Sequence, residues 1–256
     1  RVALEAVVVL AAVVLAAVVV AAVVVAAVVV AAGKSGAGGA AGAVLRATSV
    51  VSGGSSGVLA WLDGDPDPEE VIRVVREDAC SPSYTPSPLR IGSSYTALDL
   101  AKMALLESDN RAMAALARSS GQNAAEFSET MNRLAGELGM FHATFDEPTG
   151  ISGDNRCTPF EAGVLLEACL ERPELAAILS REQIPFERVD RRRNMVAQST
   201  NMLMRMDHWK VLGSKTGYTC LAGSCLVMVA QVEGRELLMS FMGHPDLDMR
   251  FRDAGE

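Results

Sequence analysis

From Val2 to Ala32 the chain is almost entirely Ala and Val, with Glu5 its only charge, and this tract limits the possible folds more than any other feature. Its core repeats Ala-Ala-Val-Val-Val, a five-residue period that fits neither a helix nor a strand, so no face of either element is polar. As a helix it would rise roughly 1.5 Å per residue, more than the roughly 30 Å hydrocarbon core of a bilayer. Residues 1–32 therefore read as an apolar segment that anchors the chain in a membrane through residues 2–32. Arg1 stands on one side, with Lys34 and Arg46 beyond the other. A secretory signal is the neighbouring reading, although its apolar region normally runs only about 7–15 residues. The third is an artefact: a frame shift upstream of about Val58 would place the same monotony before ordinary protein.

Residues 33–57 carry the runs GKSGAGGAAGA and SGGSSG, a composition that predicts a flexible linker. A phosphate loop is excluded, because Val28 stands where its first glycine would fall. Ordinary mixed sequence begins at about Val58, so residues 58–256 are expected to form the folded domain. The chain has 31 acidic and 23 basic side chains, a net charge of -8, which disfavours a nucleic-acid partner. Five cysteines make no disulfide scaffold, and the odd count leaves a thiol unpaired.

Helix starts are marked along the middle of the chain. Thr96 with Asp99 opens an apolar helix over Ala97 to Leu106, and a second helix follows Asn110. Asn123 with Glu126 opens a third, ending at Gly139; Thr158, Pro159 and Glu161 open a fourth. Leu175 to Leu179 adds a short helical piece. Lys210 to Tyr218, Ser224 to Val232 and Leu237 to Met242 read as strands, the last two joined by a turn at Val232–Arg235. Helices followed by an antiparallel meander predict an α+β domain.

Three local patterns carry possible chemistry. Ser108-Asp109-Asn110 sets a hydroxyl and a carboxamide two residues apart between helices, able to relay a proton and hold an amide, although such triplets are also ordinary cap material. Lys215-Thr216-Gly217 puts a cation, a hydroxyl and a bare backbone in succession on a strand. That suits an extended peptide ending in a carboxylate, or else an exposed edge strand with a blocking lysine. FDEPTGIS, residues 145–152, is a turn-rich loop. The histidines 142, 208 and 244 are scattered, and no Cys/His spacing fits a metal site. Cys157 and Cys169 read as packed thiols or an incidental pair, Arg191-Arg192-Arg193 as a solvated turn, and Met202, Met204 and Met206 as packing.

Taken together, Ser-x-Asn and Lys-Thr-Gly are two of the three marks of penicillin-recognising serine enzymes. LGMFHATFDEPTGIS, SDNRAMAALA, STNMLM and KTGYTCLAGSCLVM resemble the D-alanyl-D-alanine carboxypeptidase and endopeptidase family, serine peptidases of the S11 type, over about Leu59 to Phe251. A class A β-lactamase-like hydrolase shares the two marks but not the DEPTG loop. The resemblance implies a serine β-lactamase/D,D-peptidase-like fold whose N-terminal part is degenerate, leaving the domain 58–256 incomplete at its start, together with a periplasmic location, no cofactor and no metal. The implied substrate is a peptidoglycan stem peptide, cleaved through an acyl-serine. Ser108 would shuttle a proton to the leaving group and Asn110 would hold the substrate amide. Lys215 and Thr216 would bind the terminal carboxylate, with Gly217 leaving room beside the strand.

The third mark, Ser-x-x-Lys, is missing. The only lysines are Lys34, Lys102, Lys210 and Lys215, preceded three residues earlier by Ala31, Asp99, Asp207 and Leu212. Ungapped extension of the resemblance puts the serine position at Val51 and the lysine position at Gly54; Ser52 is the nearest serine. A chain without both groups is expected to be inactive as written, and β-lactams would react only if another nucleophile exists. The alternative is a catalytically silent module that binds muropeptides without cutting them.

Overall fold

The computed structural model describes residues 28–32, 47–48, 50–79 and 86–255. The first part holds strands β1 (Val28–Ala32) and β2 (Ala47–Thr48), helix α1 (Val50–Asp63), β3 (Val71–Arg73) and β4 (Ser94–Thr96). The helical middle comprises α2 (Ala97–Leu106), α3 (Asn110–Ser119), α4 (Ala124–Glu137), β5 (Arg156–Cys157), α5 (Pro159–Leu170) and α6 (Pro173–Leu179). A hairpin, β6 (Gln183–Arg188) and β7 (Arg193–Gln198), precedes the meander β8 (Lys210–Thr219), β9 (Gly223–Val232) and β10 (Arg235–His244), and α7 (Met249–Gly255) follows.

Side-chain caps set the helix starts. Thr96 Oγ1 accepts the Asp99 N–H at 3.1 Å, and Asn123 with Glu126 and Thr158 with Glu161 close reciprocal boxes at α4 and α5. The β9–β10 turn runs through Glu233 and Gly234 at φ 51° and 78°, two successive left-handed residues that match the twist of the flanking strands. The main sheet has the order β1-β10-β9-β8. Alternation along β9 divides the interior into two layers. Cys225, Val227 and Val229 join the large core under the helices, whereas Leu226, Met228 and Ala230 join a smaller cluster with Phe251 and Ala254 of α7. The architecture is the expected α+β.

The structure corrects the linker reading over residues 50–57. Those residues form the first half of α1, and from Gly53 to Trp61 the helix is buried. Glycine is required there by close approach, not by flexibility. A Cβ on Gly53 would lie 2.4 Å from the Gly150 Cα, and one on Gly57 would lie 2.9 Å from the Pro148 carbonyl oxygen. Residues 33–46 lie outside the described residues. The end of the apolar segment is corrected too: residues 28–32 pair in parallel with β10, and their β-branched valines suit a strand. Residues 1–27, which carry most of the expected anchor, lie outside the described residues, and no described helix is long and apolar enough to cross a membrane.

The FDEPTGIS segment is a built loop. The Glu147 carboxylate accepts the N–H groups of Thr149 (2.7 Å), Gly150 (2.7 Å) and Ser152 (3.1 Å) and the Asn155 amide (2.8 Å). Buried backbone donors of a turn need such a partner, and the rigid loop is the surface on which α1 rests. The β6–β7 hairpin was not foreseen; Arg191, Arg192 and Arg193 stand exposed around its turn, as a solvated turn should. The packing reading of the methionines fails for Met202 and Met206, which are 38% and 40% exposed.

Candidate active site

Two turns and one strand build the site. Helix α2 ends at Leu106 and α3 begins at Asn110, and the short junction between them projects Ser108 with φ +54°. Left-handed backbone is uncommon for a residue with a Cβ, and it persists where the surroundings over-determine it. Here the anchors are the Asp109 N–H, which donates to Met103 O at 3.1 Å, and the Asp109 carboxylate, which accepts the Ala112 N–H at 2.9 Å. Burial raises the Asp109 carboxyl above the usual range, with the Ala112 N–H acting in the opposite sense. Asn110, two residues beyond Ser108, is the first residue of α3 and is half-buried.

Among the described residues strand β8 lies at one end of the sheet order, as an edge strand does. The blocking-lysine reading nevertheless fails, because Lys215 is 3% exposed. Its Nζ donates to Ser108 Oγ and, at 2.8 Å, to the Thr216 carbonyl. Ser108 Oγ donates to that same carbonyl at 3.2 Å. The hydroxyl and the amine, 107 positions apart in sequence, thus converge on one peptide group. Thr216 Oγ1 is hydrogen-bonded to Thr200 Oγ1, and Thr200 is tied to the end of α2 through Leu106 O, at 3.2 Å from its N–H and 3.3 Å from its hydroxyl. Gly217 follows on the strand, and its carbonyl accepts Arg250 Nη1 at 2.9 Å.

Two of these partners escaped sequence reasoning. Thr200 lies in STNMLM, which carried a family signal but no role, and Arg250 on α7 had no local signal at all. Arg250 matters electrostatically. Burial pushes the Lys215 ammonium down to about 7, and the Arg250 guanidinium acts in the same direction. An amine so placed titrates near neutrality, where it can exchange protons with the hydroxyl it touches.

Helix α1 faces the same point. A Cβ built on Gly54 would lie 3.8 Å from Lys215 Cε and 3.8 Å from Ala104 O, so position 54 looks onto the amine without offering a side chain. Ser55 and Ser56 are 3% and 2% exposed on the same helix, and the side chain of Ser52 lies outside the described residues. Among the described residues no group of three or more His, Cys, Asp or Glu side chains is arranged to hold a metal ion.

The chain is 30% identical over 168 residues to a D-alanyl-D-alanine endopeptidase of Escherichia coli (strain K12), covering 66% of this chain and 54% of that one. To the D-alanyl-D-alanine endopeptidase of Pseudomonas aeruginosa it is 32% identical over 171 residues, covering 65% and 54%. It therefore spans about half the length of these curated relatives. In fold it resembles the crystal structure of D-alanyl-D-alanine carboxypeptidase from Mycobacterium tuberculosis H37Rv, with a TM-score of 0.70, 23% identity and 82% of each chain covered. It likewise resembles the Streptomyces K15 DD-transpeptidase, with a TM-score of 0.73 and 20% identity over 82% of this chain and 86% of that one. A profile of the D-alanyl-D-alanine carboxypeptidase family matches residues 74–246, which includes Ser108, Asn110, Lys215, Thr216 and Gly217 and begins beyond α1. The chain belongs to the D-alanyl-D-alanine carboxypeptidase family, Peptidase_S11.

Proposed function

We propose that this site acts on the D-alanyl-D-alanine ends or cross-links of peptidoglycan stem peptides, as a serine-type D,D-peptidase of the bacterial cell wall that uses no metal or organic cofactor. The observation that carries the reading is the meeting of Lys215 and Ser108 on the Thr216 carbonyl, on the strand that ends the sheet among the described residues. An extended peptide can lie along that edge, with Gly217 leaving room for its backbone. Lys215 as an ammonium, with the Thr216 hydroxyl, draws the terminal carboxylate. Asn110 holds the substrate amide, and Ser108 passes a proton to the leaving nitrogen. Such work belongs outside the cytoplasm, with the apolar residues 2–27 as the means of membrane association.

A second reading has a specific observation behind it. Position 54 carries no side chain where it faces Lys215, and Val51 stands where the family serine would be, so a pocket that binds stem peptides without cutting them fits equally well. Fluorescent penicillin separates the two. A covalent band, absent after the protein is boiled first, together with release of D-alanine from a stem peptide, supports the enzyme. Calorimetric binding of the peptide with neither band nor release supports the silent module. In a Val51→Ser/Gly54→Lys double variant, which supplies the missing pair, labelling should quicken by about 10²–10⁴-fold, the usual worth of a positioned base. No gain there, and no peptide binding by the native chain, would remove the D,D-peptidase reading.

A further inference from the structure

The β6–β7 hairpin carries charge that the cleft does not use. Between Gln183 and Gln198 it holds four arginines and two acids, a local positive excess in a chain of net charge -8. We propose that the turn of this hairpin docks the polyanionic wall polymer, with Arg191, Arg192 and Arg193 holding the free carboxylates of neighbouring stem peptides while one stem enters the cleft. The proposal rests on the reading of the cleft as a D,D-peptidase site, and it names the assembled polymer, rather than a free peptide, as what that site works on.

The charge at the turn is available to a ligand. Arg188 alone is spent within the hairpin: its Nε and Nη2 donate to the two carboxylate oxygens of Asp190 at 2.9 Å and 2.6 Å. That guanidinium, with the Ser94 N–H, holds the Asp190 carboxyl well below the usual range, so this acid is already committed. Arg191, Arg192 and Arg193 are exposed, and among the described residues none of them makes an ion pair. Arg73, exposed as well, pairs with Ser94 across β3 and β4 and brings a further charge to the same end. A guanidinium presents a planar fork that fits a carboxylate with two parallel hydrogen bonds, and it stays charged at every pH a protein survives.

The turn is also fixed in place, at a useful distance. The Glu187 N–H donates to Asp99 Oδ2 at 2.9 Å, Lys102 Nζ to the Pro185 carbonyl at 3.4 Å, and the Ser94 N–H to Asp190 Oδ1 at 3.0 Å. The hairpin therefore lies along α2, with its turn beside the start of that helix. At the opposite end the Gln198 N–H donates to Glu107 Oε1 at 3.1 Å, next to Ser108, and Thr200 follows against Thr216 in the cleft. The ten residues of α2 rise roughly 15 Å at about 1.5 Å each. The strand from Arg193 to Gln198 spans roughly 17 Å at about 3.4 Å per step. An extended stem of five residues reaches about the same distance, roughly 17 Å. A polymer held at the turn thus delivers the end of a stem to the cleft.

Retention of the full chain on peptidoglycan sacculi, stripped of protein and of phosphate-bearing polymers, tests this beside calorimetry on a soluble N-acetylated peptide ending in D-alanyl-D-alanine. The native chain should be retained, and less so as salt rises from about 0.05 to 0.3 M. In the variant Arg191→Gln/Arg192→Asn/Arg193→Gln, asparagine suits the left-handed backbone of residue 192 (φ 44°), so the hairpin should fold. Its retention should be weaker by about 3- to 100-fold, each exposed charge pair being worth a factor of about 1.4–5, with soluble-peptide binding unchanged. Arg172→Gln/Arg235→Gln/Arg252→Gln removes as many charges from exposed positions elsewhere and should leave retention as it is. Equal retention of the hairpin variant and the native chain, equal loss in both triple variants, or no retention of the native chain overturns the proposal. With the soluble peptide still bound, the D,D-peptidase reading survives each of those outcomes. A difference between native chain and hairpin variant on phosphatidylglycerol vesicles but not on sacculi overturns the proposal in favour of a lipid surface. Hairpin-dependent retention with no soluble-peptide binding keeps the docking surface and removes the reading of the cleft.

Discussion

At the scale of single residues, the buried amine is the most consequential feature. Lys215 lies 3% exposed, and its ammonium is held down to about 7 against the ordinary 10.5. Between those values the unfolded chain binds more protons than the folded one, so folding stability rises with pH across that interval. Below about 7 the whole cost of the buried charge is felt, and above 10.5 none of it remains. Lys215→Met removes that titration. The difference in urea midpoint between variant and native chain should therefore favour the variant most at pH 6 and shrink towards pH 10. The swing is roughly 5 kcal/mol at most, at 1.36 kcal/mol for each tenfold change. The lost hydrogen bonds to Ser108 and Thr216 lower both ends equally. A midpoint difference that does not change with pH would mean that residue 215 is charged throughout. Local sequence gave the residue types of this pair but not their meeting. A lysine on an edge strand and a serine between two helices are ordinary in isolation, and only a three-dimensional fold, or kinship with one, brings them into contact.

Among the elements, α1 shows how composition misleads. Gly and Ser in VSGGSSG favour disorder over helix, by up to about 1 kcal/mol per glycine relative to Ala. The helix forms because its small residues let it sit directly on the loop that Glu147 ties together. The two effects can be weighed by substitution. Gly53→Ala gains helix propensity but drives a Cβ to 2.4 Å from the Gly150 Cα, a backbone atom that cannot turn aside. Overpacking of this kind costs typically 1–3 kcal/mol, so the variant should be less stable by about 1–2 kcal/mol in urea unfolding. Gly136→Ala in α4 meets nothing within 4 Å and should be more stable, by about 0.5–1 kcal/mol. Equal effects at the two positions would mean that α1 is not pressed against the loop. Elements with capping chemistry, at Thr96, Asn123 and Thr158, were legible because the signal is local. The β6–β7 hairpin and the start of α1 were not, because packing decides both.

For the whole molecule, the boundary of the folded unit follows from the same helix. Composition put it at about Val58, where ordinary sequence begins; the structure puts the start of α1 at Val50. The difference matters because α1 touches α2, α3, α4, α5, β8 and β9, and so connects the helical side to the sheet. Its second half supplies Val58, Leu59, Ala60 and Trp61 to the core. Those side chains keep their positions only while the helix exists, and a remnant of residues 58–63 falls well short of the roughly 12–15 residues an isolated helix needs in water. A chain shortened to begin at Val58 should therefore lose cooperative melting, although it retains Ser108, Asn110, Lys215, Thr216 and Gly217. A chain that begins at Ala47 keeps α1 and the β2–β5 pair, and loses only β1 among the described elements, which leaves β10 as an edge. It should melt cooperatively, close to the full chain. The two truncations differ by only eleven residues (58 - 47 = 11), yet calorimetry should find a folded protein in one and none in the other. Cooperative melting of the shorter chain would show that the glycine-rich turns are dispensable and that the change in composition, not the helix, marks where folding begins.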